Sequence, residues 1–139
     1  MELEYTLLQG KADKMVLQLR SCLDDKQELV KTVLTIDEKT LSASVDKKDS
    51  GFKPSEHYST FSEAKLHFDA PYSRRNVKVY SDESSLEIVI DDTTTFTEVI
   101  LDEENCAGFS LPVDDMEVHL FKKASIPSTA PFNEKAKTI

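Results

Sequence analysis

The chain has 139 residues, with 17 lysines and arginines against 26 aspartates and glutamates and a formal charge of -9. That length suits one domain able to bury a core without a metal or disulfide staple. The acidic balance argues against a nucleic-acid partner, whose phosphates it would repel, and no run nears the ~18 consecutive apolar residues of a membrane span.

The dominant period along the chain is two. Residues 2–7, 15–20, 30–36 and 41–45 alternate apolar and polar side chains, and so, after a long connection, do residues 64–68. Residues 77–80, 86–90, 95–101 and 116–121 continue the series. Such alternation turns one set of side chains to a core and the other to water, the mark of a half-buried strand. Polar breaks at 9–11, 24–26, 37–39, 81–84 and 91–92 supply the turns. Residues 22–34 are the best competitor for a helix, but Val30, Thr32, Val33, Thr35 and Ile36 are β-branched, so the segment reads as a hairpin. The expected fold is all-β, an antiparallel two-sheet β-sandwich of the lectin or jelly-roll kind with nine or ten strands. It is expected over residues 1–124, with residues 125–139, which contain Pro127 and Pro131, as a flexible tail.

Cys22 and Cys106 lie far apart with no Cys-x-x-Cys spacing, and read as two small buried or half-buried thiols; the alternative, a disulfide, would need an oxidising compartment, which nothing in the sequence announces. The start, Met1-Glu2-Leu3-Glu4, lacks the basic and apolar regions of a secretory leader, so the expected address is cytoplasmic. His57, His67 and His119 are dispersed, and neither a metal nor another cofactor is expected. Asp46, Asp82, Glu87 and Asp91 are the carboxylates to weigh for a hydrolytic pair. Turn position or strand alternation accounts for each as a solvated side chain. With neither a Gly-x-Ser-x-Gly elbow nor a glycine-rich phosphate loop, no catalytic residue is assigned.

Carbohydrate contact is the better prospect. The connection 47–62 holds Phe52, His57, Tyr58 and Phe61, and Tyr72, Arg74 and Arg75 follow. Aromatic faces beside hydrogen-bonding groups are what hold a sugar. The plainer reading is that these aromatics cover an open side of the sandwich.

Two stretches resemble the C-terminal β-sandwich module of glycoside hydrolase family 32, the invertase, fructanase and sucrose-6-phosphate hydrolase family. The first, residues 41–51, ends in Asp46-Lys47-Lys48-Asp49-Ser50-Gly51, similar to that module's Asp-Arg/Lys-x-x-Ser-Gly. The second runs from Val77 through Asp82-Glu83-Ser84-Ser85-Leu86-Glu87 to Asp91-Asp92, followed by Phe96-Thr97. It resembles the family's Asp-x-Ser-Ser-x-Glu-x-Phe-x-Asn-Asp-Gly hairpin with its following Phe-Thr. Residues 30–37 also look like the preceding strand, and the strand series carries the resemblance from residue 1 to about 124. Asp82 and the two serines are expected to cap the turn with their side chains, and Leu86, Ile88 and Ile90 to face the core with Glu87 on the other face. Glu83 stands where the family usually has arginine, and Val89 where it has phenylalanine. The stretch 91–94 lacks the turn glycine, which points to a longer or altered turn.

The resemblance implies a non-catalytic module. In that family the reaction belongs to an N-terminal five-bladed propeller, with an aspartate nucleophile in a Trp-Met-Asn-Asp-Pro-Asn-Gly-like stretch and a general acid in a Glu-Cys pair. This chain has no tryptophan and no such stretch, and Glu104-Asn105-Cys106 is not that pair. The implied partner is a catalytic propeller or a second copy of the chain, and the implied sugars contain fructose. The alternatives are a free-standing carbohydrate-binding module and a dimerisation domain.

Overall fold

The computed structural model describes residues 1–8, 13–51, 56, 58–67, 74–100, 106, 108–111 and 116–122, the last stretch by its backbone. Its strands are β1 (Glu2–Leu7), β2 (Lys14–Leu23), β3 (Leu29–Asp37), β4 (Ser42–Asp46), β5 (Phe61–Lys65), β6 (Arg74–Ser81), β7 (Ser85–Ile90), β8 (Thr94–Val99), β9 (Gly108–Ser110) and β10 (Met116–Lys122). They form two antiparallel sheets, ordered β10-β1-β6-β7-β8 and β5-β4-β3-β2-β9, which face one another as a sandwich. The all-β reading and the hairpin at 22–34 hold. The expected tail at 125–139 lies outside the described residues.

Alternation builds the core. Leu3, Tyr5 and Leu7 of β1, Val77 and Val79 of β6, and Leu86, Ile88 and Ile90 of β7 point inward from one sheet. Met15, Leu17 and Leu19 of β2, Leu34 and Ile36 of β3, and Ala43 and Val45 of β4 meet them from the other. Each fully buried aliphatic side chain of this kind contributes about 1.5–3 kcal/mol.

Three expectations change. The fifth strand occupies Phe61–Lys65 rather than 64–68, because Asp46 to Ser42 of β4 pair with Phe61 to Lys65 and Leu66 already turns its N–H to the Leu41 carbonyl, 2.9 Å away. The short β9 has no alternating signature and exists because it pairs with β2, Ser110 opposite Gln18 and Gly108 opposite Ser21. Gly108 is required there: a Cβ would stand 2.7 Å from the Ser21 carbonyl oxygen. Lastly, Cys22 and Cys106 are not separate thiols but a disulfide, with Cα atoms 5.2 Å apart. Their long sequence separation concealed the pairing, since only the approach of the 106–110 segment to β2 brings them together.

Between Leu19 and Cys22 the register of β2 slips, and Arg20 takes a φ of 49°. This bulge breaks the alternation, so that Leu19 and Arg20 are both buried.

Candidate functional site

Among the described residues, three polar clusters join the sheets, and an open groove lies outside them. The first cluster is built by the bulge. It aims Arg20 at the β6–β7 turn, where the guanidinium donates to the Ser81 hydroxyl at 3.1 Å, to the Glu83 carbonyl at 2.8 Å and to the Asp82 carbonyl. Asp82 caps this turn as expected, its Oδ1 accepting the Glu83 N–H at 2.7 Å. The serines act differently from the expectation, through backbone carbonyls: Ser85 accepts from the Asp82 N–H and Ser84 from the Ile100 N–H. Glu87 faces away from the core between Leu86 and Ile88, opposite Thr97, while Phe96 is buried against Ile88.

At the second cluster Arg75, fully buried, enters between the sheets from β6. Its Nε and Nη2 donate to both Glu38 oxygens at 2.9 and 2.8 Å, and its Nη1 donates to Asp91 at 2.7 Å. Desolvation works against the charged guanidinium, but the hydrogen bonds and charges of Glu38 and Asp91 together hold its pKa above the ordinary arginine value. Tyr5, opposite Arg75 on β1, is buried beside this cluster. Burial first, and the Glu38 charge second, push its phenol well above the usual value near 10. Asp91 and Asp92 both adopt left-handed φ, 53° and 58°, and the Thr93 N–H closes the turn on the Ile90 carbonyl at 3.0 Å. The expected altered turn is therefore a tight turn of the type I′ kind made without glycine.

The third cluster closes the side of the sandwich where β4 and β5 approach β8. Lys47 and Glu98, both buried, lie 3.8 Å apart, and Ser62 donates to Glu98 at 2.6 Å. The Tyr58 hydroxyl donates to the Val99 carbonyl, and the Lys47 ammonium sits 4.4 Å from the centre of the Tyr58 ring. Tyr58 thus covers an open side, the plainer of the two readings.

Among the described residues, those expected to contact sugar do not share one surface. Phe52, His57 and Tyr72 lie outside the described residues. Arg74 sits on the outer face of β6, 3.8 Å from Glu4, with the two stacked sheets between it and Phe61. Arg75 is consumed in the buried cluster. Phe61, 54% exposed, stands on the outer face of β5. It borders a groove of about 350 Å³ lined also by Lys31, Val33, Thr35, Ser44, Asp46, Lys48 and Asp49. Asp46 accepts the Lys48 N–H at 2.9 Å, the Ser50 N–H returns to the Lys47 carbonyl at 3.1 Å, and Gly51 takes a φ of 120°. The motif residues Asp46, Ser50 and Gly51 therefore shape the turn that walls this groove.

Arg20, Lys47 and Glu98 were missed in the sequence. A signal existed for two of them, because Lys47 is in phase with Ala43 and Val45, and Glu98 with Phe96 and Ile100. A charge on the apolar phase of a strand announces a buried ion pair. Among the described residues, no group of three or more His, Cys, Asp or Glu side chains is gathered to hold a metal.

The described residues thus form a two-sheet β-sandwich tied together by buried polar clusters. The sequence profile described as "Glycosyl hydrolases family 32 C terminal" matches residues 1–128, and the chain belongs to that family. Among solved structures it is similar to an exo-inulinase from Aspergillus awamori, with a TM-score of 0.61 and 17% identity. It is also similar to a β-fructofuranosidase from Schwanniomyces occidentalis complexed with fructosyl-erythritol, with a TM-score of 0.59 and 13% identity. Each alignment covers 84% of this chain but only 21% and 26% of those enzymes, respectively. No curated protein sequence matches the chain.

Proposed function

We propose that the chain acts as the accessory sandwich of a β-fructofuranosidase-type glycosidase, docked on a catalytic propeller whose substrates are sucrose or fructans. The observation that carries this is the family match over residues 1–128 combined with the chain's small share of the two enzymes it resembles. Catalysis then resides in the propeller, and the sandwich contributes a rigid surface held by its three interior polar clusters.

Two experiments test the reading. The purified chain is assayed on sucrose, sucrose 6-phosphate and inulin, and turnover that survives clean controls overturns it. Co-expression with a family propeller should give a one-to-one complex, while a chain that stays alone or pairs only with itself contradicts docking.

We further propose that the chain works in an oxidising compartment rather than the cytoplasm. The Cys22–Cys106 bridge supports this, since such bridges persist where glutathione does not reduce them. Alkylation of the chain in its native cell before reduction should leave both cysteines unlabelled.

A further inference from the structure

The groove on the outer face of β3, β4 and β5 is set by register. Val33, Asp46 and Phe61 form one cross-strand row, and Thr35, Ser44 and Glu63 form the next, with Glu63 at the edge beyond the groove lining. Residues of equal phase on adjacent strands share a face and stand ~5 Å apart, so these side chains form one continuous floor. The turn after β4 raises a wall beside it. Its base is pinned by the Asp46–Lys48 bond, and it is tied back to β3 by the Lys31 N–H, which donates to the Asp49 carbonyl at 2.9 Å.

The chemistry of this surface is specific in three ways. Phe61 stands half exposed on an edge strand, where burying the rest of the ring would be worth about 1 kcal/mol. Lys31 and Lys48 line it together with Asp46 and Asp49, so the lining carries two charges of each sign in a chain of charge -9. Donors and acceptors therefore share the groove with an aromatic ring, and the Thr35 and Ser44 hydroxyls can serve as either. A charged ligand would meet a like charge wherever it met an unlike one. A neutral ligand whose hydroxyls both donate and accept satisfies every group. The volume of about 350 Å³ lies at the lower end of the ~300–1,000 Å³ range of small-molecule sites and suits a ligand no larger than a few rings.

We propose that this groove is a sugar-binding site for a neutral saccharide of mono- to disaccharide size. The apolar face of a ring lies on Phe61. Adjacent hydroxyls bridge Asp46 and the two lysines, and Thr35 and Ser44 take the far edge. The site goes beyond the docking role and does not depend on it, because it lies within the chain itself.

The test is a titration of the isolated full chain, followed by amide chemical shifts, with sucrose, kestose and cellobiose as the probes. Saturable shifts at residues 31–35, 44–49 and 61 with at least one probe are expected at millimolar concentration. Phe61→Ala should weaken binding about tenfold, the equivalent of ~1.4 kcal/mol. Asp46→Asn, which keeps an oxygen for the Lys48 N–H, should weaken it similarly with an unchanged melting temperature. Tyr80→Ala, an exposed aromatic on the opposite sheet, should change nothing. Absence of saturable shifts with all three probes overturns the proposal, as does binding indifferent to both groove variants. Groove shifts that arise only when a propeller protein is added also overturn it and assign the face to docking.

Discussion

The Arg75 guanidinium and the Asp91 carboxylate meet at 2.7 Å beneath the β7–β8 turn, and this pair is how the turn does without glycine. Two successive left-handed residues each carry a steric cost of roughly 1 kcal/mol for a side chain such as aspartate. Asp91 offsets its share by bonding Arg75 through Oδ2 and the Asn76 N–H through Oδ1 at 2.9 Å. Asp91→Ala removes one partner from a buried arginine and should cost about 3 kcal/mol in urea unfolding, with Glu38 limiting the loss. Asp92, itself exposed and paired only with Lys78, makes no such anchor, so Asp92→Gly should raise stability by about 0.5–1 kcal/mol. Equal effects of the two substitutions would contradict this division.

Tyr5 gives a pH dependence of definite sign. Its phenolic oxygen is buried with no hydrogen-bond partner among the described residues, and its folded pKa is raised. Above pH 10 the unfolded chain loses this proton while the folded chain keeps it. Stability is therefore fully present below pH 10 and falls as pH rises toward the higher folded value, at about 1.4 kcal/mol per pH unit. Tyr5→Phe should remove that share of the alkaline slope. At neutral pH it should stabilise the domain by about 1 kcal/mol, because it deletes an unsatisfied buried hydroxyl.

Lys47 and Glu98 should be strongly non-additive. Lys47→Met strands a buried carboxylate whose remaining partner is Ser62, and should cost about 3 kcal/mol. Combining it with Glu98→Met replaces both charges by apolar volume and should recover most of that loss. Additive losses in a double-mutant cycle would show that the two charges act separately.

Reduction of the disulfide should be costly because the bridge closes a long loop. With 84 residues of separation, chain-entropy arguments give about 4.5 kcal/mol of stabilisation. The urea midpoint of the reduced domain should fall accordingly, and Cys22→Ser with Cys106→Ser should match it. A midpoint unaffected by reductant would show that the bridge constrains nothing.

Strand alternation made most of the framework legible in the sequence, because a half-buried strand must separate its faces residue by residue. The core positions of β1, β3, β6 and β7 follow from that rule alone. Lys47, Arg75 and Glu98 also ride on the apolar phase, but that signal was passed over for Lys47 and Glu98 and taken for a sugar contact at Arg75, because their partners are distant in the chain. Arg20 was hidden because a bulge shifts the phase at the position that matters. The boundary of β5 was displaced because the alternation at 64–68 is local, while pairing with β4 is not.

The opening features take their final meaning from this division. Alternation by itself determined an all-β sandwich and, through the turn motifs, its family resemblance. Scarcity of glycine marked the β7–β8 turn as unusual, but only the fold showed the remedy, an arginine from a neighbouring strand holding an aspartate in place. The groove belongs equally to tertiary structure. Lys31, Ser44 and Phe61 are distant in the chain, and they share a surface only because inter-strand hydrogen bonds set the register of three strands. Side-chain phase is a local property and can be read in order. Register, sheet pairing and the closure of Cys22 on Cys106 are non-local, and no short window of sequence contains them.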